Sequence, residues 1–461
     1  MATAKFLGVF VSPLYVQVEG LQRVFDNLES IGTHAICTLP YVFRPSAAGK
    51  RFPPLHIDGY ERLAARPVWG KREVDLERFL TYAPQAGLYE GCPYKPDAKP
   101  VPAELDATLP QRMIEEARRR GMQAHILIHP FLAPHLRPED QPVSVDGAYP
   151  IQPPVAASAC PNSPAAEAYG LAQLQDIVQN YGEIDGLIPD WVEFGAYRLE
   201  DHFSCFCPHC ERRARDLGLD WGLIKKDVTA LWDHLHALTP RGLEHSRRLL
   251  RNPSELLELL MQHPGWVQLL KFKADSIVGF YLKMRRLLDR MGHEELELAA
   301  RGWPPPWNRS SGMDYRALAD VCGTIAPKLF TFDYSVLPRW YGQSLVRWNP
   351  ELSESLVLDA LVDWMNLHDD LEQRSFAHYH IPAPEELHPA RLEVYRTRVD
   401  EVVAQVAGKA RCRPFAHAYL PESQWKRMVA LLRDSQVDGM WVQMYGYLSD
   451  RKLGILRDMW H

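Results

Sequence analysis

One feature constrains this chain more than any other. A short, apolar, β-rich run is followed by a helical stretch, and the pair recurs along the sequence. Residues 5–11 form the first run. The helical stretch over 18–31 carries Leu21, Val24, Phe25, Leu28 and Ile31 on one face, and Gly32 stops it. The second run covers 33–39, and a helix over 110–120, closed by Gly121, feeds the third at 123–129. The helix after Pro164 ends at Gly182 and leads into 184–190. Runs at 296–301, 328–333, 414–419 and 439–444 bring the set to eight. Eight such units predict an α/β chain folded as one (β/α)8 TIM barrel spanning residues 1–461. Two runs open on the same phrase, Ile184-Asp185-Gly186 and Val437-Asp438-Gly439, a faint repeat at the turns that deliver the chain into a strand.

Three stretches exceed a minimal barrel. Residues 44–107, rich in Pro, Gly and aromatics, read as a long loop after strand 2, and 211–294 as a helical insertion after strand 4. Residues 337–389 are ambiguous, helix-like over 356–371 and strand-like at Phe376-Ala377-His378-Tyr379-His380. A strand there would shift the count by one. Pro189 lacks the donor a central strand needs, so it belongs at a strand's end. Long additions after strands are how such barrels build the face that carries function.

Composition narrows the partners. A net charge of −6 argues against a nucleic-acid surface, and no apolar run approaches the ~20 residues of a membrane span. The apolar run near the N-terminus has no small-residue cleavage site after it, so it reads as the first strand, with a cytoplasmic chain and reduced cysteines expected. A homo-oligomer is compatible with all of this. Thirteen Trp and nineteen Tyr offer flat faces that stack on sugar rings, although most will be core or rim.

Catalytic groups of such barrels stand at the C-terminal ends of the strands. The polar residues there are Tyr41 and Arg44 after run two, His129 after three, Asp190, Trp191 and Glu193 after four, and Arg301 and Trp303 after five. Run six contributes Asp333 and Tyr334, run seven His417, Tyr419 and Glu422, and run eight Gln443 and Tyr445. Carboxylates, aromatics and a few cations converge, which is the composition of a carbohydrate site. Cleaving a glycosidic bond takes one carboxyl to protonate the leaving oxygen and another to attack or to activate water. Asp190 as nucleophile or base with Asp333 as acid/base is the preferred pair, and Glu193 and Glu422 compete. The plain alternative for each is a helix cap or an ion pair with a nearby Arg.

Cys205-Phe206-Cys207-Pro208-His209-Cys210 is the most specific short motif. Three thiolates within six residues plus a fourth ligand make a closed tetrahedral zinc site, structural because no position is left for water. Cys160 is the preferred fourth ligand, with His209 or Cys92 as substitutes. The bland reading is a set of reduced, packed thiols.

This segment, followed by Glu211-Arg212-Arg213, resembles the zinc-bearing segment of family 42 β-galactosidases and of several glycoside-hydrolase-like barrels of unassigned activity. Ala159-Cys160-Pro161-Asn162-Ser163-Pro164 and Asp190-Trp191-Val192-Glu193 share in the resemblance to the second group. It runs roughly from the third strand to the start of the insertion, plus the last barrel unit. It implies a glycosidase with a structural zinc and no catalytic cofactor, and the long loops over the mouth favour a pocket, hence a short oligosaccharide or glycoside as substrate. The chain departs from the β-galactosidases in lacking their Asn-Glu pair at strand four, and it has no clear nucleophile Glu at strand seven unless Glu422 serves. Asp190 and Asp333 resemble more closely a barrel group with Asp on strands four and six. Two further readings are a metal-dependent isomerase or hydrolase using His129, His378 or His380, and a barrel that binds carbohydrate without catalysis.

Overall fold

The computed structural model describes residues 5–52, 56–57, 60–61, 63–148, 158–249 and 252–460. Eight parallel strands close into a barrel: β1 Phe6–Phe10, β2 Ala35–Thr38, β3 Gln123–Ile128, β4 Gly186–Pro189, β5 Glu297–Gly302, β6 Thr324–Leu329, β7 in two pieces (Arg411–Cys412 and Phe415–His417), and β8 Gly439–Gln443. Each strand pairs with its sequence neighbours. The ring shuts where β1 meets β8, with Phe6 opposite Gly439 and Val9 opposite Val442. The strands are buried almost throughout, as a sheet covered on both faces requires. Gly8 is needed in β1 because a side chain there would run into the Trp441 ring.

The repeated Asp-Gly phrase has one structural meaning at both sites. Asp185 Oδ2 accepts the Ala124 N–H at 2.8 Å and Asp438 Oδ2 accepts the Cys412 N–H at 2.7 Å. In each case an αβ turn ties down the first residues of the preceding strand. Proline ends β4 as expected, with Pro189 opposite Ile128. Among the described residues no helix is long and apolar enough to cross a membrane.

Three expectations need correction. The sixth strand is Thr324–Leu329, not 328–333. Pro327 sits in register opposite Gly302, and the chain turns helical from Thr331. Asp333 and Tyr334 therefore lie in the first turn of helix Thr331–Trp348, not at a strand end. Second, Phe376–His378 is a 3-10 turn and adds no strand. Third, the stretch 44–107 is not all loop: Tyr41–Phe52 pairs antiparallel with Val74–Leu80 to form a hairpin beside the barrel mouth. Residues 53–55, 58–59 and 62 of that stretch lie outside the described residues. The insertion after β4 is helical, and its last helix, Pro264–Arg290, packs on helix Pro164–Asn180 and delivers the chain to β5.

Candidate functional site

The C-terminal strand ends and the hairpin enclose a cavity of about 630 Å³. Of the expected residues, His129, Asp190, Trp191, Arg301 and His417 line it, together with Gln443 at the end of β8. Beneath the wall, strands four to six bring charges together. Lys328 Nζ lies 2.9 Å from Asp190 Oδ1 and 2.5 Å from Glu193 Oε1. Arg301 Nη1 stands 3.2 Å from Asp190 Oδ2 in ion-pair contact, and its Nη2 donates to Gln443 Oε1 at 3.3 Å. The other Glu193 oxygen accepts the Trp303 N–H at 2.9 Å. All four charged groups are buried, so each charge is stable only because an opposite one touches it.

The two carboxylates respond differently to this setting. Burial alone would raise Asp190, but Arg301 and then Lys328 outweigh it and hold the carboxyl well below the usual range. For Glu193 burial wins over Lys328, with repulsion from Asp190 added, and the pKa is raised. Lys328 is raised because both acids overcome its own desolvation. His129 is pushed down to about 4, chiefly by burial, and is neutral at pH 7. Trp191 carries this site over Lys328, with Nζ 4.8 Å from its ring, and holds φ at 62°. That left-handed backbone is uncommon for a bulky residue and marks a constrained loop.

Other expected residues sit elsewhere. Asp333 is buried within electrostatic reach of Tyr334 and Tyr395 and does not line the cavity. Tyr334 packs under the Arg398 guanidinium, 4.4 Å from its ring. Glu422 opens helix Glu422–Arg433 beside a smaller side cleft of about 300 Å³ that Tyr419 also lines. Tyr445 is spent on Asn27 and Glu19. Trp303 is buried behind Glu193, stacked edge-on with Tyr197 at 4.7 Å. Arg44 pairs with Glu77 at 2.9 Å on the hairpin, and Tyr41 lies under Arg78 at 4.9 Å. His378 and His380 belong to the turn after helix Glu354–Met365, and His380 pairs with Glu386. Neither lines the cavity.

Lys328 was missed from the sequence, although a lone cation inside an apolar strand is itself a signal. Such a residue needs a buried partner, and a sixth strand ending at Leu329 would have pointed it inward. Ser12, Phe330 and the hairpin residues Lys50, Glu77 and Arg78 also line the cavity. The hairpin falls within the stretch expected as loop, so nothing placed them there.

Away from the mouth, Cys160, Cys205, Cys207 and Cys210 converge, their sulfurs all within 4.8 Å of one another. Cys160 Sγ is 3.7, 3.5 and 3.4 Å from the other three. Tetrahedral zinc with bonds of about 2.3 Å would set sulfurs about 3.8 Å apart, so the set fits that ion. N–H groups of Val143 and Asn162 point at Cys205 and Cys210 from 3.3 and 3.4 Å, the outer support such ligands need. His209 is engaged by Arg212 and Cys92 by the Ala165 carbonyl, so neither substitutes for Cys160. Among the described residues this is the one cluster of three or more metal-capable side chains.

No family model matches the chain, and no curated protein matches it. Solved structures do. The catalytic domain of β-amylase from Paenibacillus polymyxa superposes with a TM-score of 0.50 at 9% identity, covering 98% of this chain and 97% of that one. β-Galactosidase from Bacillus circulans sp. alkalophilus gives 0.47 at 9% identity, over 99% of this chain and 55% of that one. At such identity the likeness to the β-amylase domain is one of fold, and it establishes the (β/α)8 barrel.

Proposed function

We propose that this chain is a glycoside hydrolase whose reaction centre is Asp190 with Glu193. The observation that carries the reading is a pair of carboxyls sharing Lys328 at the barrel mouth, with pKa values pushed in opposite directions. That divergence is how one site keeps a base and an acid at the same pH. Asp190, ionised and facing the cavity, suits attack on the anomeric carbon or activation of water. Glu193 is the better proton holder for the leaving oxygen. Glu193 does not line the cavity, so its proton reaches a bound sugar only if the mouth rearranges. Asp333, turned into the helix layer, has no part in this version of the pair. The barrel likeness to a β-amylase domain supports the class of reaction and names no substrate.

The four cysteines would hold a structural zinc, which supplies no chemistry to the reaction and anchors the loop between β4 and helix Pro208–Asp216. A second reading, a barrel that binds sugar without cleaving it, has one observation in its favour. Asp190 is the one carboxylate that the barrel strands present to the cavity, and it is already paired twice.

A panel of nitrophenyl glycosides tests the reading, read alongside sugar binding by calorimetry. Asp190→Asn is expected to cut turnover by about 10²–10⁴-fold with binding nearly kept. Sugar binding by the natural chain with no release from any glycoside would decide for the second reading.

A further inference from the structure

The hairpin wall of the mouth cavity bears on what kind of sugar fits. Its acid Glu77 is already neutralised, by Arg44 at 2.9 Å and Lys99 at 3.4 Å. On the floor Asp190 is neutralised by Arg301 and Lys328. Lys50 and Arg78 line the same cavity, and neither has a carboxylate partner among the described residues. Arg78 is the better placed of the two. Its guanidinium lies 4.9 Å over the Tyr41 ring, which fixes its direction before any ligand arrives. It also reaches His129 on the floor electrostatically. Arg301, 2% exposed, also lines the cavity, with its guanidinium committed to Asp190 and Gln443. The opposing charge at the rim is Asp97, which is exposed.

We propose that the cavity takes an anionic sugar, a pyranose bearing a carboxylate or a phosphate, with Arg78 holding the charged group. This rests on the glycoside-hydrolase reading for the site and adds the substrate class to it. Lys50 lends the wall a second positive charge, and Asp97 sets a limit on how strong the preference becomes. A carboxylate suits a guanidinium because two parallel N–H groups meet two oxygens, which an ammonium does not offer. Arg78 is thus a specificity residue and not a catalytic one.

The test is calorimetric titration of the full chain with glucuronate, glucose 6-phosphate and glucose. Expected is binding of at least one acid about tenfold tighter than glucose, a preference that shrinks as salt is raised. Whichever acid binds tighter identifies the charged group. Arg78→Ala, at an exposed position that leaves the fold alone, should erase the preference and keep glucose binding, and Arg78→Lys should keep part of it. Equal binding of all three, no binding of either acid at tens of millimolar, or a preference that survives Arg78→Ala each overturns the proposal. Neither result depends on turnover. If the acids bind selectively and no glycoside is cleaved, the hydrolase reading fails and this one stands. If neutral nitrophenyl glycosides are cleaved and uronides are not, the reverse holds.

Discussion

Two buried clusters of polar groups solve the problem of burial in opposite ways. At the mouth, Asp190, Glu193, Arg301 and Lys328 supply two negative and two positive charges, and every contact among them joins unlike groups. That cluster closes its own charge balance. The four cysteines bring only acidic groups together. A cation of the protein within their electrostatic reach is Lys273, which is buried, bonded to the carbonyls of Asp201 and His202, and felt by Cys205 and Cys210. One ammonium does not offset four thiolates, so this cluster needs an imported cation to exist as thiolates at all. The comparison therefore sorts the two by the reagent that should break them: a chelator for the cysteines, loss of a partner charge or a change of pH for the mouth.

The largest effect is expected at the cysteines. With the proposed zinc bound, elemental analysis should find about one metal per chain, and Cys210→Ser should abolish it. Chelation should lower stability by several kcal/mol, against a ceiling of about 10–16 kcal/mol for peptides that fold only around the ion. A chain that unfolds at the same denaturant concentration with and without chelator would erase the distinction between the clusters. Next in size is Lys328→Met, which takes away the cation shared by two buried carboxylates. Breaking a buried pair from one side costs about 3–5 kcal/mol. Because Glu193 is raised already, it should pick up a proton in the variant, so the loss measured by urea unfolding should be smaller at pH 5 than at pH 7. A loss that ignores pH would mean that the carboxylates do not lean on Lys328.

The same contrast explains what could be read before the structure. Cys205, Cys207 and Cys210 lie within six residues, so local spacing alone announces the cluster, and Cys160 joins from the segment that starts the neighbouring helix. The mouth cluster is assembled by barrel closure from residues more than a hundred positions apart, such as Glu193 and Lys328. Only a strand register places them. Seven strand ends were near enough to locate Asp190, Arg301 and His417, while the sixth, expected at 328–333, lies four residues earlier. That one shift put Asp333 in the site on paper and left Lys328 out. The hairpin was hidden for another reason: its strands bracket Gly- and Pro-containing sequence whose composition is that of a loop, and its pairing across Pro45 and Lys50 is irregular.

The smallest effect concerns the neutral member of the mouth. His129 is pushed down to about 4, first by burial, with Asp190 pulling it up and Arg78, Arg301 and Lys328 holding it down. An unfolded chain restores a value near 6.5. The unfolded state thus takes the proton first, so stability is complete above about pH 6.5 and is lost as pH falls toward 4. Between pH 7 and pH 5 the share from this one group is about 1–2 kcal/mol, reduced from the full linkage figure because the ring faces the cavity. Glu193 works the other way, since its raised pKa makes the folded chain the better proton acceptor as the solution is acidified. Replacing His129 by Gln removes one term and leaves the other, so the natural chain should lose more stability on going from pH 7 to pH 5 than His129→Gln does. Equal losses would mean that His129 is well solvated in the cavity, and the acid sensitivity of the mouth would then belong to its ion pairs alone.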